Sequence, residues 1–62
     1  MPKRELYIVW NNARSESIVV DSEDDAMVAS GLLEPFSGCS SLCERFNELY
    51  SDESRLVEII EL

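Results

Sequence analysis

Residues 5–11 read Glu-Leu-Tyr-Ile-Val-Trp-Asn, a β-branched and aromatic run with apolar side chains on both of its faces. Such a run predicts a strand. Alternation puts Leu6, Ile8 and Trp10 on one face and Tyr7 and Val9 on the other. A strand apolar on both sides is expected at the centre of a sheet or covered on both faces.

The neighbours follow in order. Residues 11–17 are polar and turn-prone, with Asn11 or Asn12 suited to the left-handed conformation. Residues 17–21, Ser-Ile-Val-Val-Asp, form a second short strand, and the pair reads as an antiparallel hairpin with a loop of about five residues. Ser22 is a helix N-cap, and Ser22-x-x-Asp25 approximates a capping box. Glu23, Asp24 and Asp25 lie in a first turn, where the helix dipole favours acids. That helix spans 23–30. Gly31 suits the position past its end, and Leu32 could fold back onto Met27. Residues 32–38 are a connector broken by Pro35 and Gly38. Ser40 or Ser41 caps a second helix, with Ser41-x-x-Glu44 the better capping box. Leu42, Cys43, Phe46, Leu49 and Tyr50 mark its apolar face, with Glu44, Arg45, Asn47 and Glu48 facing away. Residues 51–54 end it, and residues 55–62 read as a third strand. Glu58 and Glu61 punctuate that strand, as on a sheet edge where charge blocks pairing with other chains.

The β-β-α-α-β order predicts a single α+β domain over 1–62, a three-stranded sheet with two helices packed on one face. The third strand could lie parallel beside the first or antiparallel beside the second. The expected core is Leu6, Ile8, Trp10, Val20, Phe36, Leu42, Phe46, Leu49, Val57 and Ile59. At 62 residues, the folded chain buries only ~60% of its unfolded surface, which leaves little room for a buried ligand cavity. Function is therefore expected on the surface.

Charge narrows the partners. Residues 1–14 carry three cations against Glu5, net +2, and residues 15–62 carry two cations against twelve acids, net −10, for −8 overall. That sign repels phosphate backbones and anionic headgroups, so direct binding to nucleic acid or membrane is disfavoured and basic protein surfaces are the natural partners. No apolar run approaches the ~18 residues of a membrane span. No apolar stretch of signal-peptide length follows Met-Pro-Lys-Arg-Glu, so a cytoplasmic setting is expected.

Side-chain chemistry points away from catalysis. Cys39 and Cys43 are the two cysteines, and histidine is absent. A zinc site needs four ligands, a thioredoxin-like pair needs two intervening residues rather than three, and no histidine could activate a thiolate. Cys43 is expected in the helix core stripe and Cys39 near the cap, both as free thiols in a reducing compartment. Asp21-Ser-Glu23-Asp24-Asp25 begins like a calcium loop, but the sixth and twelfth positions are Ala26 and Leu32 in place of Gly and Glu. Neither a glycine-rich phosphate loop nor a nucleophile motif is present. The expectation is a non-enzyme without metal or cofactor.

The acids are the remaining feature. Glu44 and Glu48 lie four apart on the exposed side of the second helix, a like-charge spacing that costs helix stability. Asp52 and Glu53 extend that row, and Glu23, Asp24, Asp25 and Glu34 form a second group. Eight net charges match about 14 Å of duplex DNA. A solvated surface is the plain alternative, since a net charge of magnitude ~2–8 is ordinary for a small domain.

With its short chain, its β-β-α-α-β order and its acids at Asp21–Asp25, Glu44, Glu48, Asp52 and Glu53, the chain resembles the small acidic inhibitors that phages and mobile elements encode. These include anti-CRISPR, anti-restriction and host-polymerase inhibitors. The resemblance implies a monomeric, DNA-mimicking inhibitor in the host cell cytoplasm that fills a basic groove of a nucleic-acid-handling complex. Lys3 and Arg4 depart from a uniformly acidic mimic. The alternative is a protein-interaction module using a sheet edge or an aromatic patch, acidic only for solubility. A thiol-based redox or metal protein ranks third.

Overall fold

The computed structural model describes residues 4–62, so Lys3 lies outside the described residues. Strand β1 (Glu5–Trp10) pairs antiparallel with β2 (Ser17–Val20) on one side and with β3 (Leu56–Glu61) on the other, in the order β2-β1-β3. Between β2 and β3 lie helices α1 (Glu23–Ser30) and α2 (Ser41–Leu49). The α+β architecture and element order are those the sequence predicts.

The third strand takes neither position left open by the sequence. It runs antiparallel beside β1, pairing Leu6 with Ile60, Tyr7 with Ile59, Val9 with Val57 and Trp10 with Leu56. This makes β1 the central strand, paired on both edges, as its two-sided apolar character suits.

Helix direction sets the direction of β3. The backbone N–H of Ser40, at the start of α2, donates to Oδ1 of Asp25 in the first turn of α1 at 3.2 Å. At the other end, Arg55 Nη1 donates to the Ala29 carbonyl at 3.4 Å, to the Asn47 carbonyl at 3.0 Å and to Asn47 Oδ1. Both helices therefore run the same way, with residues 31–40 as the return, and β3 starts at the Trp10 end of the sheet. Asn47 thus turns towards Arg55, where the sequence had it facing away.

The core lies on the opposite face of β1 from the one expected. Val9, Val20, Ala26, Val28, Ala29, Cys43 and Phe46 are buried, with Tyr7, Ile18, Cys39 and Tyr50 packed against them. Adjacent strand residues point to opposite faces, and with both faces apolar the pattern could not choose between them. Leu6, Ile8 and Trp10 instead line the bare side of the sheet. Of the other expected core residues, Val20 and Phe46 are buried, whereas Phe36, Leu42, Leu49, Val57 and Ile59 are exposed. Small Ala26 and Ala29 seat α1 closely over the sheet. Phe46 and Tyr50 stack at 4.8 Å between ring centroids, so the inner stripe of α2 is Cys43-Phe46-Tyr50, with Leu42 and Leu49 on its flank.

Local chemistry explains the ends. Ser22 caps α1, its Oγ accepting from Asp25 N–H at 3.5 Å. Gly31 adopts φ 85°, and Leu32 N–H donates to the Met27 carbonyl at 2.9 Å. The Leu32 side chain is 74% exposed, so only the backbone half of the expected ending forms. Ser40 is the N-cap of α2 without a side-chain cap bond, and Ser41 is its first residue, so the Ser41–Glu44 box is not formed. In the hairpin, buried Asn11 accepts from Ser15 N–H and Glu16 N–H through Oδ1. Arg14, rather than Asn11 or Asn12, takes the left-handed conformation, at φ 56°.

An alanine Cβ at Gly31 would collide with the Arg55 guanidinium, whereas at Gly38, φ 94°, nothing lies within 4 Å. Both substitutions strain the backbone by ~1 kcal/mol. Gly31→Ala is expected to cost at least 1 kcal/mol more than Gly38→Ala, roughly the worth of one displaced charged hydrogen bond. Urea unfolding midpoints of the two variants measure the difference.

Candidate interaction surfaces

The two helix N-termini lie side by side, joined by the Ser40–Asp25 bond. Two positive dipole ends thus meet there, and the first turns answer with Glu23, Asp24 and Asp25 on α1 and Glu44 on α2. Tyr7 lies beneath this end. Its hydroxyl pKa is raised by desolvation, then by the charges of Glu5 and Glu23. Glu48 sits one turn along α2 from Glu44.

The eight acids singled out from the sequence divide in two. Asp25 and Glu53 are half-buried and serve the fold: Asp25 holds Ser40, and Glu53 Oε1 accepts from Asn12 N–H at 2.8 Å. Glu23, Asp24, Glu34, Glu44, Glu48 and Asp52 are exposed. Among the described residues, none of these six side chains makes a hydrogen bond or ion pair within the chain. The fold brings Glu23, Asp24 and Glu44 to the end of the helical layer where both helices start, whereas Glu48 lies in the last turn of α2, next to the Asn47 that holds Arg55. Glu34 stands on the return segment, and Asp52 follows the far end of α2, so the eight do not form one continuous row.

Cations are distributed differently. Arg55 is turned inward on helix carbonyls. Arg14 lies over the Trp10 ring at 5.6 Å and pairs with Glu58 at 2.9 Å, on the helix-free side of the sheet. Arg45 is the exposed cation of α2.

Sequence reasoning missed the bare sheet face. Leu6, Ile8, Trp10, Val19, Leu56 and Ile60 share it by register. The thinnest extent of the molecule is 15 Å, enough for one sheet and one helical layer, ~10 Å apart. Trp10 Nε1 is buried there without a hydrogen-bond partner among the described residues. The signal was present: a strand apolar on both faces, and helices for only one of them.

Cys43 is fully buried and Cys39 half-buried, both free. Among the described residues no group of three or more metal-ligating side chains is placed to hold an ion, and no helix is long and apolar enough to cross a membrane. Burial pushes the Cys43 thiol pKa up from 9.0, with nearby Asp25 and Cys39 adding to the rise and the Ser40 hydroxyl opposing it. The unfolded chain therefore loses this proton first, so the thiol lowers stability as pH rises above about 9. A chromogenic disulfide reagent at pH 8 should titrate Cys39 in the native protein and Cys43 only after denaturation. Prompt native reaction of both thiols would contradict the burial.

Comparison with known protein families, characterised proteins and solved structures finds no match.

Proposed function

We propose that the protein is a non-enzymatic, DNA-mimicking inhibitor whose acidic helical side occupies a basic, nucleic-acid-binding surface of a protein complex, of the kind that phages and mobile elements encode. The observation that carries this reading is the set of six exposed acids with no hydrogen-bond or ion-pair partner among the described residues. Carboxylates left uncompensated at a surface attract Lys and Arg at long range and dock without first breaking an internal pair. Asp25 and Glu53 contribute less, because each already accepts a backbone N–H. The setting we propose is the reducing cytoplasm, with both thiols free.

A second reading rests on the bare sheet face. Its apolar residues and Trp10 suit docking to an apolar partner surface. Salt separates the two, because acid-led binding weakens steeply with ionic strength and apolar docking does not.

The test is capture of partners on immobilised protein from a nuclease-treated cell lysate at low salt. The parent should retain basic nucleic-acid-binding proteins and release them to a DNA duplex. Glu44→Lys with Glu48→Lys replaces attraction by repulsion and should weaken capture by about 100-fold or more. Folding should persist, since both positions are exposed and Lys is a good helix former. Glu16→Lys in the hairpin should change capture little. Undiminished capture by the double variant, with no competition from DNA, would transfer the function to the sheet face.

A further inference from the structure

On one side the helical layer reaches further than the sheet. Helix α1 is centred over β1, with β2 and β3 to either side of it. Helix α2 packs on α1 and β2 and touches neither β1 nor β3. Packed helix axes lie about 8–10 Å apart, whereas neighbouring strands are only ~4.8 Å apart. The axis of α2 therefore passes beyond β2, over the place that a fourth strand would take. Ile18, Leu42, Phe46, Leu49 and Tyr50 line a groove of about 280 Å³ there, between β2 and α2.

The edge of β2 is open as well. Continuing the β1–β2 register, Asn11 N–H donates to the Glu16 carbonyl at 3.1 Å. Hydrogen-bonded pairs alternate along an antiparallel ladder. Ile18 and Val20 therefore turn their backbone groups to Val9 and Tyr7, and Ser17 and Val19 turn theirs away from the sheet. Among the described residues, no strand pairs with that side of β2. Edge strands are ordinarily protected by charge, proline or a bulge. Here Glu16 guards one end, and the four residues of β2 contain none of these devices. Arg45 stands on α2 between Leu42 and Leu49, at the lip of the groove. It is exposed and, among the described residues, makes no hydrogen bond or ion pair.

We propose that an extended peptide segment of a partner protein docks here as a fourth strand, beside β2 and under α2, with one apolar side chain in the groove and one carboxylate on Arg45. Free N–H and C=O groups along an edge are matched by another extended backbone. The groove is smaller than the ~300–1,000 Å³ common for small-molecule sites, and it suits a strand side chain. Nucleic acid is repelled by the net charge of −8. A second copy entering by its own β3 would leave a fresh β2 edge at each step, an open-ended assembly of chains that repel one another. Residues opposite one another share a face. In either strand direction, the peptide residue opposite Ile18 thus turns its side chain towards Leu42, Phe46 and Leu49. A carboxylate two residues away lies on the same face, within reach of Arg45, and the net charge disfavours further acids. This inference does not rest on what the surface acids bind.

The test is selection of displayed random heptapeptides on the immobilised full chain. A recovered peptide, synthesised with blocked ends, is then titrated into nitrogen-15-labelled protein. The expected peptides carry Leu, Ile, Val or Phe two residues from a single Asp or Glu. They should move the backbone amide signals of Ser17 and Val19 most. The interface is small, so an affinity on the order of 100 μM is expected. Methylating the peptide nitrogens one at a time should weaken binding at least tenfold at alternate residues and leave those between unaffected, because every second residue of a strand faces its neighbour. This readout leaves the protein unaltered. Arg45→Glu is an exposed helical change that should preserve folding. It should weaken the acidic peptide at least tenfold and turn the selection towards Lys or Arg at the same spacing. No enrichment over an unrelated protein overturns the proposal. So do equal losses at every methylated position, or a selection that Arg45→Glu leaves unchanged. An oligomer in sedimentation, with the Ser17 and Val19 amides protected from exchange before any peptide is added, would give the groove to a second copy and overturn it too.

Discussion

The guanidinium of Arg55 is the joint on which the arrangement depends. Neither helix has a basic residue in its last turn. Each helix ends with carbonyls that no later turn satisfies, and with the negative end of its dipole. Because α1 and α2 run the same way, both ends arrive at one place, and a single cation from the residue preceding β3 takes Ala29, Asn47 and the Asn47 side chain. Three elements distant in sequence are tied there. Gly31 lies against the same guanidinium, so its missing side chain serves the joint as well as the turn.

That joint has an electrostatic consequence. The cation that could have neutralised the surface acids is turned inward, and Arg14 is held on the sheet side by Trp10 and Glu58. The opposite, positive ends of both helices then meet at Glu23, Asp24, Asp25 and Glu44. Parallel helices thus separate charge along the molecule, with the cation inside at one end and acids outside at the other. The helix dipoles account for acids in the first turns. They do not account for Glu48 or Asp52, which are the stronger candidates for a role outside the fold.

Much of the fold was legible because local signals agreed. The β-branched run at 5–10, the Ser22 cap, Gly31 and the Cys43-Phe46-Tyr50 spacing each specify an element without tertiary help. What was not legible depended on choices between equivalent local patterns. Both faces of β1 are apolar, so its core face was decided by where α1 could pack, not by alternation. The place of β3 followed from the shared helix direction, which rests on Asp25 reaching Ser40 and Arg55 reaching two carbonyls, contacts that no periodicity encodes. Of the candidate acids, Asp25 and Glu53 could not be told from the others, since a carboxylate that accepts a backbone N–H looks the same in sequence as one facing water.

The most direct measurement is the equilibrium unfolding of Arg55→Met beside the parent protein. Methionine keeps much of the apolar stem and removes every donor, leaving the carbonyls of Ala29 and Asn47 without their partner. Hydrogen bonds from a charged donor contribute ~1.5–3 kcal/mol each, so a loss of at least 2 kcal/mol in unfolding free energy is expected, with hydrogen exchange accelerated at the C-terminal turns of both helices. An Arg55→Met protein that unfolds within about 0.5 kcal/mol of the parent, the range of an ordinary surface substitution, would contradict the account.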